Sequence, residues 1–473
     1  DFGRGAPTGQ SIMVEFSQPN THKSIHVGHL RNVILGASVC NLLEFAGNEV
    51  IRATYPGDIG LHVMKWMWNY RLLHAGEQPP EDKLRWMQDL YSEADRHYST
   101  DPGAEDEVRT LFARWDQHDP ELRTLWKVSR EWSLQAFDQY YQLMGVKFDR
   151  VYFESEEEEP GKEIVNQLIR EGIAQDERPD GPVVIKLDEL LGNKDEKYRV
   201  LVIVRSDGTS LYATKDIALA IRKYEEYHPD RSIYVIDVRQ SLYMQQIFKT
   251  LELMGYPWAK NLYHLAYEIV NLPGNVTMSS REGTVVMFDD LMREANQRAL
   301  AIVQEKNPEL PPDQQSEISR AVALGALKYS MLSRDNTKIV TFDWKSALDF
   351  NGQAAPYIQY AHVRASSILR KAGEPLPGSA LPPEPLSEWE VTLIDFISRL
   401  PREVQRAAYN YRPLDMATLA YDLARAFNDF YNQCPVLQAE PDVRAFRLRL
   451  VAAARQAIAN ALGLLGITAP QAM

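Results

Sequence analysis

His26, Gly28 and His29 stand together in "SQPNTHKSIHVGHLRN" (Ser17 to Asn32), with Lys23 three residues ahead of them. The preceding "SIMVEF" reads as a buried strand. The residues that follow put Leu30, Val33, Ile34 and Ala37 on one face of a helix. The histidines therefore sit where a strand turns into a helix. A helix N-terminus presents unpaired N–H groups and the positive end of a dipole, which favours anions. Gly28 leaves backbone clear where a base or ribose could lie flat, and His26 and His29 can donate to phosphate oxygens. A nucleoside triphosphate is the natural guest of such a junction. Two histidines capping an ordinary crossover are the alternative at this point.

Two carboxylates form a second set. Glu15 closes the strand before the junction and points towards the crevice at the strand's carboxyl end. Asp216 begins a helix after the strand-like "LYAT", with Tyr212 one turn ahead. Carboxylates placed so can meet a cationic group. A strand-edge Glu and a helix-capping Asp are the plainer readings. A polar, glycine-bounded loop, "NVTMSSREGTVVMFDDL", enters a helix near Asp289 and Asp290. Alone it reads as a surface loop as readily as a phosphate clamp.

The elements that must position these residues follow from the pattern. Residues 11–65 read as strand, helix, strand, a βαβ unit whose helix ends near Gly47 and whose second strand, "EVIRATY", leads into the turn "PGDIG". Residues 66–200 are helical and charged and look like an insertion splitting a nucleotide-binding fold; their run "ESEEEE" (Glu154 to Glu159) reads as a solvated face. Residues 201–290 return to α/β, with "YRVLVIV" and "SIYVIDV" as buried-type strands around the helical "KDIALAIRKYEEY", and a helical connection follows over 291–345. The rest is an all-α bundle. Leu419, Leu423, Phe427 and Phe430 share one helical face there, and Val451, Ala454, Ile458, Leu462 and Leu465 another. The expected fold is thus a split Rossmann-type α/β domain over 1–345 and a helical domain over 346–473.

Composition narrows the class. The chain has 473 residues, 45% hydrophobic and 25% charged, long enough for two domains. A net charge of −13 argues against non-specific coating of nucleic acid while allowing a local basic face. Two cysteines, Cys40 and Cys434, support neither a disulfide framework nor a cysteine-rich zinc site, which favours a reducing, cytoplasmic setting. No run approaches the length of a membrane span and no signal peptide is visible, so no membrane partner is expected. The chain starts at Asp1 rather than Met, so further sequence is expected upstream.

The histidine junction and the late polar loop together resemble the two signatures of class I aminoacyl-tRNA synthetases, H-I-G-H and K-M-S-K-S. Within that class the chain resembles the arginyl-tRNA synthetases. "VEFSQPNTHKSIHVGHLRN" is similar to their strand and first signature, and "RATYPGDIG" to their Gly-Asp-x-Gly turn. "SLYATKDIALA" and "YVIDVRQ" are similar to their amino-acid pocket, "MSSREGTVV" to their degenerate second signature, and "APYIQYAHVR" to the entry of their anticodon-binding bundle. The segments keep the family's order and cover nearly the whole chain.

The resemblance implies an arginine–tRNA ligase that forms arginyl-adenylate from L-arginine and ATP and transfers it to tRNA(Arg), with tRNA required for activation. It assigns His26, His29 and Lys23 to catalysis, and Gly28, Met278, Ser279, Ser280 and Arg281, with the histidines, to ATP. Glu15, Tyr212 and Asp216 recognise the guanidinium, and Asn20 and Gln240 the α-amino and carboxylate groups. Tyr357, Gln359, His362, Arg364, Tyr409 and Arg412 are the candidates for tRNA, since basic and aromatic residues suit a single-stranded loop. ATP enters as its Mg²⁺ complex; no tightly bound cofactor or structural metal, and a monomer, are expected. The departures are specific. Thr277 and Ser280 stand where the second signature usually has lysines, leaving Lys23 or Arg281 to supply charge. Ile59 replaces a usual tryptophan, and the family's N-terminal domain, which meets the tRNA elbow, is not in this chain. Two rivals are a small-molecule adenylating enzyme such as a pantothenate synthetase, disfavoured by the long helical ending, and a non-catalytic paralogue, disfavoured by the intact His26, Gly28, His29, Glu15 and Asp216.

Overall fold

Strand β1 (Ser11–Glu15) and helix α1 (Val27–Phe45) flank the histidine junction, and β2 (Glu49–Thr54) follows. The computed structural model describes residues 2–23, 25–194, 196–272, 276–277, 286–373, 378, 382 and 385–473. Helix α1 ends where Gly47 takes a φ of 103°. A Cβ there would lie 2.0 Å from the carbonyl oxygen of Ala6, so only glycine lets the N-terminal segment pass this close.

Next come α2 (Leu61–Leu73), α3 (Lys83–Thr100), α4 (Ala104–Asp116) and α5 (Pro120–Met144). A cluster of tryptophans, Trp66, Trp68, Trp115, Trp126 and Trp132, forms much of the core that joins them. Helix α5 starts with an Asp119 cap and Pro120 in its first turn and stops at a left-handed Gly145. Then follow β3 (Arg150–Val151), α6 (Glu158–Arg170), β4 (Gln175–Asp176), β5 (Val183–Lys186), α7 (Leu187–Leu190), β6 (Val200–Val204), α8 (Tyr212–Tyr227), β7 (Arg231–Asp237), α9 (Ser241–Leu253) and β8 (Leu262–Tyr267). The short β9 (Val270–Leu272) and β10 (Val276–Thr277) lead to α10 (Phe288–Lys306), α11 (Pro312–Leu332), β11 (Val340–Thr341) and α12 (Trp344–Ala347). The chain closes with α13 (Ala355–Ala372), α14 (Glu388–Tyr409), α15 (Pro413–Gln433) and α16 (Pro441–Leu464).

The chain forms two compact units, one of Asp1–Gly9, His26–Glu49 and Tyr267–Met473, the other of Gln10–Ile25 and Val50–Ala266. The second unit carries a five-stranded sheet in the order β3-β2-β1-β7-β8. β1 runs parallel to β7, with Glu15 opposite Tyr234, and β2 runs parallel to β3. Strand order therefore reverses at β1, the switch point outside whose carboxyl ends ligands collect in α/β sheets. In the first unit α1 packs against α10, α11, α14, α15 and α16. The faces read from the sequence are the buried ones: Leu419, Leu423, Phe427 and Phe430 on α15, and Val451, Ala454, Ile458, Leu462 and Leu465 from α16 to its cap. The architecture is α/β with a parallel sheet, followed by a helical domain. Among the described residues no helix is long and apolar enough to cross a membrane.

Three sequence expectations need correction here. "YRVLVIV" is not in the parallel sheet: β6 pairs antiparallel with β5 in a separate β4-β5-β6 sheet, with Val200 and Val202 exposed. Conversely β3, inside the stretch read as an insertion, extends the parallel sheet next to β2. The "ESEEEE" run is not a solvated face, because Glu154 and Glu157 are buried. Lys215 meets Glu154 at 2.9 Å and Arg222 meets Glu157 at 2.7 Å. Cations brought in from α8 make that burial tolerable.

Candidate active site

The loop leaving β1 is unusual in its backbone. Ser17, Gln18 and His22, none of them glycine, adopt φ of 77°, 41° and 59°. Such conformations cost of order 1–3 kcal/mol each and persist only where the surroundings impose them. The fastening comes from α2 and α5. The Ser17 and Tyr141 hydroxyls lie 2.7 Å apart, and the His22 N–H donates to Ser133 Oγ at 3.0 Å. The His22 ring, edge-on to Trp66, bridges Thr21 Oγ1 and Ser129 Oγ at 2.9 and 2.8 Å. Burial, with help from His62 and Arg130, pushes the His22 pKa well below the ordinary value, so it serves as a neutral clasp. Asn20 bridges to Gly57. Next to it, fully buried Asp58 accepts from Arg130 at 2.9 Å and from the Ser155 N–H and hydroxyl at 2.8 and 2.7 Å. Ile59 is buried in the tryptophan cluster.

Gln18 opens onto a cavity of about 200 Å³ whose lining includes Glu15, Tyr55, Asp216, Tyr234 and Phe248. At roughly 30 Å³ per water this admits a group of several heavy atoms. The two carboxylates there are not equivalent. Glu15 Oε1 accepts from the Gln18 amide at 3.0 Å, and its Oε2 takes the ammonium of Lys223, both partners buried. Lys223 also lies 4.6 Å from the centre of the Tyr234 ring. Asp216 receives the neutral Tyr243 hydroxyl. Burial raises the Asp216 carboxyl to about 7; the Tyr243 bond and Lys223 pull it down, while Glu15 and Glu154 push it further up. Among the described residues Asp216 thus forms no direct ion pair, Lys223 acting on it only from its place against Glu15, and a cation bound in the cavity would relieve it.

The other sequence candidates for this pocket are placed elsewhere. Tyr212 is 65% exposed and Gln240 is exposed, and neither lines the cavity. The sequence reading missed Lys223, Gln18, Tyr55, Tyr234 and Tyr243. Lys223 carried a signal: seven residues beyond Asp216 on one helix, it falls on the same face.

In the other unit, the start of α1 shows the capping reading of the histidines. They do cap the helix: the Gly28 N–H donates to His26 Nδ1 at 3.1 Å and the His26 N–H to His29 Nδ1 at 3.2 Å. The two rings lie 4.0 Å apart and stay half-buried. A Cβ on Gly28 would come within 2.9 Å of His26 Cε1, so the ring stacks over bare backbone. One turn on, Arg31 is buried and donates to the carbonyls of Glu268, Ile269 (3.0 Å), Lys338 (3.0 Å) and Asn336 (3.4 Å). It ties α1 to β9, which leads through β10 towards the second signature. Met278, Ser279, Ser280 and Arg281 lie outside the described residues. The chain returns beside the first signature, with the Val27 N–H donating to the Val286 carbonyl at 3.2 Å. Lys23 is half-buried; burial lowers its pKa, as does Lys65, while Asp95 raises it.

The helical part of the first unit holds a larger cleft, about 630 Å³, lined by Lys306, Tyr357, Tyr360, Arg364, Asn428 and Met473 among others. The Arg364 guanidinium lies 5.0 and 4.7 Å from the ring centres of Tyr360 and Tyr431 and donates to Asn428 Oδ1 at 2.5 Å. Tyr357 and Arg364 are therefore on one accessible face. Gln359 and His362 are not, which corrects their expected contact with tRNA. Gln359 is fully buried and donates to the carbonyls of Ala321 at 3.1 Å and Thr468 at 2.9 Å, and the His362 ring meets the Pro470 carbonyl at 2.8 Å. They strap the segment of Thr468 and Pro470 onto α13. Tyr409 is 84% exposed, and Arg412 pairs with Asp335 at 3.1 Å; neither lines the cleft.

Comparison with known proteins decides what this assembly serves. Residues 2–344 match the family model for class I tRNA synthetases (R), catalytic domain, and residues 358–473 that for the DALR anticodon binding domain. The chain belongs to the arginyl-tRNA synthetase family. An arginine–tRNA ligase of Bacteroides thetaiotaomicron is 35% identical over 99% of this chain and 82% of its own length. One from Bdellovibrio bacteriovorus is 36% identical over 98% and 79%. The arginyl-tRNA synthetase structure from Thermus thermophilus superposes with a TM-score of 0.85 at 30% identity, over 99% of this chain and 84% of that one. The arginyl-tRNA synthetase from Plasmodium falciparum shares the fold at a TM-score of 0.79 and 21% identity. As a class I synthetase the family member uses ATP, and it joins arginine to tRNA(Arg). The anticodon domain removes the small-molecule adenylating rival.

Proposed function

We propose that the cavity of Glu15, Gln18, Tyr55 and Asp216 is where this arginine–tRNA ligase selects its amino acid, with Asp216 as the anion that meets the guanidinium. The observation that carries this is the contrast between the two carboxylates: Glu15 is ion-paired with Lys223, whereas half-buried Asp216 has a hydroxyl donor and no ion-pair partner among the described residues. A bound guanidinium supplies that missing cation in matching fork geometry. Asn20, Tyr212 and Gln240 are left for the amino acid's backbone end or for closure around it.

ATP, taken up as its Mg²⁺ complex, meets the start of α1, where His26 and His29 stand by the helix dipole and Lys23 precedes them in the chain. The arginine carboxylate attacks the α-phosphate, pyrophosphate leaves, and the tRNA terminal ribose hydroxyl then attacks the activated carbonyl. The protein's share is alignment and charge stabilisation. The cleft of Tyr357, Tyr360 and Arg364 suits an unstacked anticodon base, between aromatic rings and a guanidinium. Residues 1–345 act as the catalytic domain and 346–473 as the anticodon domain, in a cytoplasmic monomer.

The test is Asp216→Asn in tRNA-supplemented ATP–pyrophosphate exchange. The arginine KM rises roughly 10–100-fold, the loss of a charged hydrogen bond, with the ATP KM nearly unchanged. An unchanged arginine KM removes Asp216 from the pocket's chemistry.

A further inference from the structure

Tyr55 follows β2 in "RATYPGDIG", and its ring lines the same cavity as Asp216, Glu15 and Gln18. Its hydroxyl is buried and has no hydrogen-bond partner among the described residues. Buried hydroxyls are nearly always paired, so one that is not asks for an occupant. The neighbouring polar groups do not fill the need. Glu15 is taken by Lys223 and Gln18, and Asp216 accepts from Tyr243. The setting is anionic: burial and the charges of Asp216, Glu154, Glu157 and Glu15 all keep the proton on the phenol. A neutral phenol oxygen still offers lone pairs, and a negative surround draws a cation's donors towards them.

We propose that Tyr55 is a specificity-determining contact of the arginine side chain, its oxygen accepting an N–H of the guanidinium whose other edge faces Asp216. A guanidinium carries five N–H groups in one plane, more than a single carboxylate can satisfy. A site that buries it must supply acceptors on a second side. Tyr55 and Asp216 come from different elements of the fold, one after β2 and one on α8, so together they fix the plane of the fork as well as its charge. A lysine ammonium, a compact point charge, does not span the two. The inference rests on the reading of this cavity as the arginine pocket.

Tyr55→Phe tests it in the tRNA-supplemented enzyme, with Asp216→Asn assayed in parallel. Loss of the hydroxyl raises the arginine KM about 5–30-fold and leaves kcat within about twofold, because a ground-state contact is removed. Preference for arginine over lysine falls by the same factor. The Tm of the free enzyme stays level or rises, since an unpaired buried hydroxyl has gone. An arginine KM within about twofold of the parent overturns the proposal, and so does a KM rise accompanied by a lowered Tm and an equally raised ATP KM, which marks a structural role. If Asp216→Asn also leaves the KM unmoved, the pocket reading itself fails. If Asp216→Asn raises it and Tyr55→Phe does not, only the Tyr55 contact fails.

Discussion

Tyr243, on the helix after β7, donates its hydroxyl to the Asp216 carboxylate on the helix before it. That bond opposes the burial that lifts Asp216 to about 7, so the pocket's open anion titrates near neutrality. Only the ionised form pairs with a guanidinium. The arginine KM should therefore rise as pH falls below about 7, in a KM–pH profile measured at saturating ATP. Tyr243→Phe should move the inflection to higher pH. The stability sign is opposite to that of an ordinary salt-bridged Asp. With its folded pKa raised, Asp216 contributes stability that is fully present below the ordinary carboxylate value and lost as pH rises through about 7. Asp216→Asn should thus stabilise the free enzyme at pH above 7 by about 1–3 kcal/mol, read from the urea midpoint, while weakening arginine.

The Glu15–Lys223 pair sets the charge that Asp216 feels. Lys223→Met removes a cation that favours the ionised Asp216 and leaves Glu15 uncompensated in the same cavity. The arginine KM–pH profile should shift upward, and the fold should lose about 3–5 kcal/mol, the usual cost of orphaning one buried charge. Lys223→Met with Glu15→Gln removes both charges and should recover most of that stability. An unshifted profile in the single variant would show that Lys223 does not act on the pocket.

Much of this was legible in the sequence, and the gaps have a common origin. His26, Gly28 and His29 were found because a local junction of strand and helix has a local signature. Glu15 does close β1 as read, and the bundle faces were legible because helical periodicity is itself local, whereas Asp216, read as the start of a helix, lies one turn inside α8. Tyr55 and Tyr243 were not found, because the groups they face lie far along the chain, and Lys223, though on the face of Asp216, has its ion-pair partner Glu15 just as far away. The same distance hid the burial of Glu154 and Glu157, whose cations lie on α8. Gln359 and His362 misled because polar letters in a basic, aromatic stretch suggest a surface. Yet they alternate with Ile358 and Ala361 on the buried side of α13, where carbonyls of the C-terminal tail satisfy them.

Arg31 should matter to the ATP half-site without touching substrate. Arg31→Met leaves several carbonyls of the β9 and β11 segments without their donor and should cost at least about 2 kcal/mol by urea denaturation. Adenylate formation should slow while the arginine KM holds, because the approach to the second signature loosens and the arginine cavity does not. Arg31→Lys should recover less than half of the loss, since an ammonium cannot fork among these acceptors. Full recovery by lysine would count against this geometry.

Lys23 is proposed to meet the triphosphate, in place of the lysines missing at Thr277 and Ser280. Lys23→Ala should lower kcat for adenylate formation by about 10²–10³, comparable to losing one transition-state donor. Its arginine KM should barely move, and Ser280→Lys in that background should restore part of the rate. Exchange kinetics equal to the parent's would transfer the role to Arg281.

Selection of a guanidinium by a carboxylate that has no ion-pair partner of its own is the centre of the account, and one comparison addresses it directly. ATP–pyrophosphate exchange is measured with tRNA(Arg) present, first with arginine and then with citrulline, which keeps the shape and loses the charge. Sites that hydrogen-bond a substrate group reject analogues lacking it by about 10⁴–10⁵, because their own polar groups are left unpaired. The account predicts a kcat/KM for citrulline lower by that order. Comparable adenylation of citrulline and arginine would contradict it.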